Sequence, residues 1–286
     1  VQFRGFELLV PADQLRPREA SSAVVDACLS RLRKQAEAAS ARCSDMQSLV
    51  DQKRVPSGYV VSKQSAVSGG VVVAPQQRVL DLGVGSGALL LGILADSGKT
   101  TIGTGLDLDH GAIEACRANA ARILRDREAA PPTLLVGDMT GIDGTQIRPQ
   151  LAAQGYHLIV CNPPYRSRAQ QEAYDQASGS RGGCTEHHRT LVAGQTGLEL
   201  YEGVALCLAR DRLAAASRGD SAILRPKGVL IFQVECGAGG KLGGVAAKVG
   251  AAVERASGSA LKFLRIQTDD RGKERAIIVV WADSLH

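Results

Sequence analysis

The segment Asn162-Pro163-Pro164-Tyr165 follows an apolar run and has residue types that suit the transfer of a small group to a nitrogen atom. The side-chain oxygen of Asn162 and the backbone carbonyl of Pro163 can accept hydrogen bonds from the two N–H groups of a planar amine or amide, and so stabilise the charge that develops during attack. The prolines fix the direction of that carbonyl, and Tyr165 can form a wall against a planar group. The alternative is an incidental turn between a strand and a loop.

A glycine-rich segment after an earlier apolar run contains Asp81, Gly83, Gly85 and Gly87. Glycines at this spacing permit a tight turn and allow a ligand to lie close to the backbone. Phosphate-binding and dinucleotide-binding loops look similar, but the spacing differs from G-x-G-x-x-G and no lysine follows as in a P-loop. An acidic residue before the loop suits a cationic amino-acid group better than a pyrophosphate.

Two further aspartates, Asp107 and Asp138, end the next two apolar runs. The alternative interpretation is that each is an ordinary exposed residue of a turn. Asp107 can accept hydrogen bonds from both hydroxyls of a ribose. Asp138 can accept one from the amino group of adenine. The three strand ends together describe an adenosine that carries an amino acid, and this predicts S-adenosylmethionine as the cofactor. The predicted cofactor-binding residues are Asp81, Gly83, Gly85, Gly87, Asp107, Asp138 and Asn162, and the predicted catalytic residues are Asn162, Pro163 and Tyr165.

These residues require a scaffold that brings several strand ends together. Apolar strand patterns alternate with helical patterns from residue 78 onward, and the last apolar segments predict two strands around a turn at 270–272. We expect an α/β fold with a doubly wound, mostly parallel sheet and a C-terminal antiparallel hairpin, which is a Rossmann-like arrangement. Ligands of such sheets bind beyond the carboxyl ends of the strands.

Three regions are predicted along the chain. Residues 1–34 contain a short strand and a helix that starts at Ser21, and they form an N-terminal appendage. Residues 35–77 are polar and rich in Gly and Ser, so we interpret them as an irregular insertion or linker. Residues 78–286 form the main domain.

Composition limits the classes of function. The sequence of 286 residues has no apolar run long enough for a membrane span and no signal-peptide pattern at its start. Seven cysteines without a CxxC pair argue against a disulfide framework and a zinc site. The adjacent His187 and His188 do not make a metal site, because neighbouring residues rarely bind one ion together. The net charge of +5 favours ordinary surface solubility over a nucleic-acid footprint.

Several segments resemble the PrmC/HemK family, whose members methylate the glutamine of the Gly-Gly-Gln tip in peptide-chain release factors. FRGFELLV is similar to the opening hairpin of that family, LRPREASSAVVDACL to its Pro-Arg-Pro-Glu-Thr segment, TEHHRTLVAGQTGLELY to the segment after its NPPY motif, and DDRGKERAIIV to its last hairpin. The resemblance implies a class I methyltransferase that uses S-adenosylmethionine, with a release factor as its partner. It also implies substrate contacts from Glu19, Pro164 and Glu186.

The resemblance leaves other functions open. The Pro-Arg-Pro-Glu-Thr segment is rearranged here to Arg16-Pro17-Arg18-Glu19-Ala20, and Glu186 is followed by histidine instead of proline. One alternative is an amino-methyltransferase that acts on rRNA or DNA, and the basic residues around Arg16 and after Tyr165 are compatible with contact to RNA or a ribosomal surface. Another is a catalytically silent protein of the same fold in a ribosomal or ribosome-assembly particle. Because the sequence starts at Val1, a preceding transit peptide is conceivable, so we expect a mitochondrial or other organellar matrix, or otherwise the cytoplasm.

Overall fold

The structure is a computed structural model, and it describes residues 1–11, 14, 16–17, 19–51, 76–97, 101–125, 129–153, 155–178, 191–234 and 244–285. The chain opens with a hairpin of β1, Gln2–Phe3, and β2, Phe6–Glu7. Sequence patterning alone predicts one strand over 3–10, and this is wrong because Arg4 and Gly5 adopt positive φ angles of 47° and 80° and turn the chain. The hairpin implied by the family resemblance is present.

Helix α1 spans Glu19–Asp51, so residues 35–51 of the predicted irregular insertion are helical. This part of the sequence has few apolar residues at helical spacing, but it is rich in alanine and contains neither glycine nor proline. Such a composition allows a helix to continue without a continuous apolar face. The first turns of α1 bury Val24, Val25 and Cys28 against the rest of the domain. The remainder of the predicted insertion lies outside the described residues, apart from residues 76 and 77 at the start of the sheet.

Seven strands form the central sheet. In chain order they are β3 Gln77–Leu82, β4 Thr101–Asp107, β5 Thr133–Val136, β6 Tyr156–Cys161, β9 Leu224–Gln233, β10 Leu261–Thr268 and β11 Glu274–Trp281. Their order across the sheet is β10-β11-β9-β6-β3-β4-β5. The chain therefore moves outward from β3 to β5 and then returns to the other side of β3, which creates a switch point between β3 and β6.

The sheet confirms the predicted fold class. β11 pairs antiparallel with both β9 and β10, so β10 runs in the same direction as the other strands. The predicted closing hairpin is present, with β11 inside the sheet and β10 at its edge. The reason is burial, since β11 carries the almost wholly apolar sequence ERAIIVVW, whereas β10 has a largely exposed or half-buried pattern.

Helices cover both faces of the sheet. They are α2 Ala88–Ser97, α3 His110–Ile123, α4 Arg148–Ala152, α5 Arg168–Ser178, α6 Glu199–Arg218 and α7 Val245–Ala256. The sequence patterns predict α2, α3 and α6. They miss α4, which is a single short turn, and α5, whose sequence is mostly polar. They also miss α7, where valine and alanine face inward at a helical spacing that follows a glycine-rich segment.

The core has two layers, one on each face of the sheet. Val79 and Val160 point into the layer formed with α1, α2 and α3, while Leu80 and Cys161 point into the layer formed with α6 and α7. This alternation follows from the strand repeat of two residues. A second, two-stranded sheet pairs β7, Arg166–Ser167, with β8, Val192–Gly194, directly after the NPPY segment. Among the helices of the described ranges, none combines the length and apolarity that a bilayer crossing requires.

Candidate active site

A cavity of about 820 Å³ lies over the carboxyl ends of β3, β4, β5, β6 and β9. It collects most of the predicted site residues, although these are far apart in the sequence. The predicted residues that line it are Asp81, Gly83, Gly85, Asp107, Asp138, Asn162, Pro164 and Tyr165. Gly87 and Pro163 do not line it. The cavity crosses the switch point between β3 and β6, where ligands of open α/β sheets bind.

The loop between β3 and α2 depends on its glycines. Gly83, Gly85 and Gly87 have φ angles of 77°, 53° and 89°, a region that strains side chains with a Cβ atom. A Cβ at Gly87 would also stand 2.8 Å from the sulfur of Cys116. Gly87 therefore allows the turn to pack against Cys116, whereas Gly83 and Gly85 bring the backbone to the cavity surface.

Asp107, the last residue of β4, connects that strand to the glycine loop between β3 and α2. Its Oδ2 accepts a hydrogen bond from the backbone N–H of Gly85 at 2.8 Å, and its Oδ1 accepts one from the N–H of Asp109 at 3.0 Å. Burial raises the pKa of Asp107, and these backbone N–H groups oppose that shift. The carboxylate is therefore held in place at the cavity wall, with lone pairs that remain able to accept from ligand hydroxyls.

Asp81 is only 1% exposed although it lines the cavity. Its Oδ2 accepts from the backbone N–H of Leu90 at 3.1 Å, while its Oδ1 has no hydrogen-bond partner within the described part of the chain. Burial raises the pKa of Asp81 well above its usual value, the N–H of Leu90 opposes this shift, and the charge of Asp107 adds to it. A buried acceptor of this kind favours a cationic ligand, because a nearby positive charge stabilises the carboxylate.

Asp138 begins a short 3₁₀ turn over Met139–Gly141. Its Oδ1 accepts from both the backbone N–H and the hydroxyl of Thr140, at 2.8 and 2.7 Å. These hydrogen bonds stabilise the start of the turn, so a structural role by itself explains an aspartate at position 138. Its contact with an adenine amino group stays a prediction.

The NPPY segment leaves β6 beside the cavity. The Oδ1 atom of Asn162 is buried and has no hydrogen-bond partner in the described part of the structure. Since buried acceptors are normally paired, this oxygen is available to a bound N–H group. Tyr165 is partly buried against the core layer of α6 and α7. Pro163 is buried but lies away from the cavity surface, so a contact from its carbonyl stays a prediction without support from the cavity lining.

Sequence reasoning missed several residues of the cavity wall. Gln14, Arg16 and Pro17 reach it from the segment before α1, Leu108 follows Asp107, and Gln233 ends β9. The position of Gln233 at the end of an apolar strand was the available signal, since Asn162 was found by the same criterion.

The two predicted substrate-contacting glutamates are less well defined. Glu19 begins α1 next to the cavity-lining Ala20, and its side chain lies outside the described part. Glu186 lies outside the described residues altogether.

The cavity fits S-adenosylmethionine by the chemistry of its donors and acceptors. Asp81 can offer an ammonium group a buried carboxylate oxygen that has no partner among the described residues. Gly83 and Gly85 form a backbone cradle, and Asp107 presents lone pairs to ribose hydroxyls. Leu108 is 70% exposed at the cavity, where it can cover one face of an adenine ring. Within the described ranges, no cluster of His, Cys, Asp and Glu side chains has the arrangement of a metal site. The described cysteines Cys28, Cys116, Cys161 and Cys207 are free and buried.

Comparison with known proteins agrees with this geometry. Residues 71–177 match the family model described as the methyltransferase small domain, and this range includes the glycine loop, the three aspartates and the NPPY segment. Residues 71–177 are therefore similar to a methyltransferase small domain. The match confirms the predicted methyltransferase resemblance and S-adenosylmethionine as the cofactor of this domain.

Curated relatives of the methyltransferase small domain fall into two groups. The chain is 34% identical over 156 residues to the release factor glutamine methyltransferase of Rhodospirillum rubrum, which covers 54% of this chain and 39% of the relative. It is 30% identical over 151 residues to the tRNA1(Val) (adenine(37)-N6)-methyltransferase of Vibrio campbellii, covering 52% of this chain and 58% of the relative. The chain thus spans only part of the length of the relatives it matches. Among solved structures, TrmN from Thermus thermophilus is 16% identical with a TM-score of 0.41, covering 72% of this chain and 44% of TrmN.

Proposed function

We propose that this protein transfers a methyl group from S-adenosylmethionine to the side-chain amide nitrogen of a glutamine in a peptide-chain release factor. The observation that carries the proposal is the buried Oδ1 of Asn162, which has no hydrogen-bond partner among the described residues and lies at the cavity that also holds Asp81 and Asp107. An acceptor oxygen in this position can hold an N–H group of the nitrogen that is methylated. The names of several relatives, including those of Rhodospirillum rubrum and Caulobacter vibrioides, support glutamine as the acceptor.

An amide nitrogen is a weak nucleophile, because its lone pair is delocalised into the carbonyl group. S-adenosylmethionine, when bound, supplies an activated methyl group on a positively charged sulfur. The chain's contribution is to orient the acceptor and to stabilise the positive charge that grows on the nitrogen during attack. Asn162 does this through Oδ1, and Tyr165 restricts the planar amide to one orientation beside it.

The walls of the cavity divide these tasks between two regions. Asp81, Gly83, Gly85 and Asp107 bind and orient the nucleoside side, and their positions are fixed by hydrogen bonds from Leu90, Gly85 and Asp109. The Asn162–Tyr165 segment lies on the opposite side of the switch point, where the acceptor enters. This separation allows the cofactor to be bound before the acceptor arrives.

A second function is favoured by the Vibrio campbellii relative, which is named as a tRNA adenine methyltransferase. The exocyclic amine of adenine is also planar, conjugated and equipped with two N–H groups, so Asn162 could hold it in the same way. Arg16 at the cavity wall and Arg166 and Arg168 after Tyr165 would then face phosphates.

The deciding experiment supplies labelled S-adenosylmethionine to the protein together with either a release-factor fragment that contains Gly-Gly-Gln or a tRNA transcript. Mass spectrometry of the peptide should show one added methyl group on the glutamine, and the tRNA should remain unlabelled. A methylated tRNA and an unchanged peptide would replace the proposal by the second function. An absence of transfer to both acceptors would favour the catalytically silent alternative.

A further inference from the structure

Gln233 is a buried amide at the end of β9 that faces the cavity. Its side chain is 7% exposed, it lines the cavity, and its Oε1 has no hydrogen-bond partner within the described part of the chain. The backbone around it is well fixed, because Tyr201 donates its hydroxyl to the carbonyl of Gln233 at 3.0 Å and Val234 donates its N–H to the carbonyl of Arg275 at 2.8 Å. An amide oxygen buried without a partner is unfavourable, so a bound donor is expected to satisfy it.

The sheet register places Gln233 beside Asn162. Cys161 of β6 pairs with Phe232 of β9 in a parallel ladder, and Asn162 and Gln233 are the next residues of the two chains. Cys161 and Phe232 both point into the core layer of α6 and α7. The strand alternation therefore directs the following two side chains toward the opposite face, where Asp81 and the start of α1 line the cavity.

We propose that Gln233 is a second acceptor-binding residue, and that its Oε1 and the Oδ1 of Asn162 each accept one of the two N–H groups of the methylated nitrogen. The proposal rests on the function proposed above. It assigns to Gln233 the role that sequence reasoning gave to the carbonyl of Pro163, which does not line the cavity. Gln233 also lies on the far side of β6 from the glycine loop, so it is placed for the acceptor and not for the nucleoside.

This arrangement defines the chemical class of the acceptor as a nitrogen with two N–H groups, such as a primary carboxamide. When the nitrogen attacks, the bond between the methyl group and the sulfur of S-adenosylmethionine breaks and leaves a neutral thioether, and the methylated nitrogen loses one proton to solvent. The product nitrogen then keeps a single N–H, so one of the two buried oxygens loses its partner. The product should therefore bind more weakly than the substrate, and a second methylation of the same nitrogen should not occur.

The test compares three single variants with the unmutated protein. Gln233→Leu removes the acceptor oxygen, and Gln233→Glu keeps one in either protonation state. Gln77→Leu is the matched control, because Gln77 is an equally buried amide at the opposite end of the sheet, where its Nε2 donates to the carbonyl of Leu32 at 2.9 Å. The measurements are kcat/KM for a Gly-Gly-Gln peptide, the Kd of S-adenosylhomocysteine and the melting temperature.

Gln233→Leu should lower kcat/KM at least tenfold with cofactor affinity unchanged, and Gln233→Glu should restore a large part of that loss. Gln77→Leu should lower the melting temperature without lowering kcat/KM to a similar extent. Unchanged kcat/KM in Gln233→Leu, or a loss confined to cofactor affinity, would overturn the proposal.

Failure of the proposed function gives a different result. If the unmutated protein methylates tRNA instead of peptide, the protein-glutamine substrate is wrong, and the same variants measured on tRNA decide the role of Gln233. If it methylates neither, peptide binding in the presence of S-adenosylhomocysteine is compared between the unmutated protein and Gln233→Leu. Weaker binding by the variant would support the contact, and equal binding or no binding by either protein would overturn it.

Discussion

A Cβ atom at Gly197 would stand 2.4 Å from the backbone carbonyl oxygen of Tyr165. Gly197 follows β8, and its φ angle of 81° lies in the region that glycine adopts without strain. The loop before α6 thus packs directly against the last residue of the NPPY segment. Because Gly197 has no side chain, the loop before α6 can contact the NPPY segment, although a stretch outside the described residues separates the two in the sequence.

This contact predicts a specific effect of Gly197→Ala on catalysis. Gly219→Ala is the matched control, because Gly219 has a similar φ angle of 70° but no atom of the described residues lies within 4 Å of its Cβ position. Both variants should lose about 1–2 kcal/mol of unfolding free energy from backbone strain. Only Gly197→Ala should also displace Tyr165 and reduce the methyl-transfer rate. Chemical denaturation and initial rates measure the two effects, and equal rates in both variants would contradict the expected displacement.

Asn162→Ala should separate cofactor binding from turnover. The lost oxygen lies across the switch point from the glycine loop, so calorimetry should find cofactor affinity nearly unchanged. Methyl transfer at saturating cofactor should fall about 10²–10³-fold, as is typical when an acceptor aimed at developing charge is removed. Tyr165→Ala should instead act mainly on acceptor affinity, because a wall contributes to ground-state binding. Turnover at the unmutated level in Asn162→Ala would refute its catalytic role.

Asp107→Ala should weaken cofactor binding at least tenfold. The variant loses the acceptor for ribose hydroxyls and also the bond that holds the N–H of Gly85, so both the contact and the loop are affected. Asp109→Ala serves as the comparison, since Asp109 also lines the cavity but its side chain accepts from the N–H of Gly111 and caps α3, while its backbone N–H to Asp107 is kept in the variant. It should lower stability with a smaller effect on calorimetric affinity. Comparable losses of affinity in the two variants would contradict the ribose assignment.

Cofactor affinity should rise with pH through the titration of Asp81. Its pKa in the free protein is raised by burial, and the ammonium group of the cofactor should lower it again by stabilising the charged carboxylate. Binding then releases a proton from protonated Asp81, so affinity increases by up to tenfold per pH unit between the bound-state and the free-state pKa of Asp81, and this contribution is constant outside that window. Asp81→Asn should remove this dependence. A calorimetric profile that is the same in both proteins would disprove the linkage.

The folding free energy should depend on pH through His157, the second residue of β6, at the end of that strand away from the cavity. Burial and the charges of Arg225 and Arg78 lower its pKa to about 4 from the usual 6.5. Between these values the unfolded chain binds more protons than the folded one, so the free energy of unfolding should fall as pH decreases through this window. His157→Gln keeps an acceptor for the N–H of Arg78, which donates to Nδ1 at 3.0 Å. It should therefore reduce the loss of melting temperature on acidification, and an unchanged loss would contradict this.

Sequence patterns correctly predicted site residues where a chemically informative residue directly follows a clearly apolar strand. The glycine loop, Asp107 and Asn162 each follow a strand with clear apolar patterning, so their convergence follows from the parallel sheet itself. The same reasoning failed for residues 35–51, where a helix without an apolar stripe was interpreted as irregular.

The sequence by itself determined the type of each chemical group and the strand end on which it sits, since strand periodicity and glycine spacing are local properties. Only the tertiary structure decided which groups share a surface. Gln233 lies beside Asn162 through the register between β6 and β9, Pro163 is not among the residues that line the cavity, and Gly197 packs against Tyr165. These relationships arise between residues distant in the chain, and they are set by how the strands pair and pack, which no local pattern encodes.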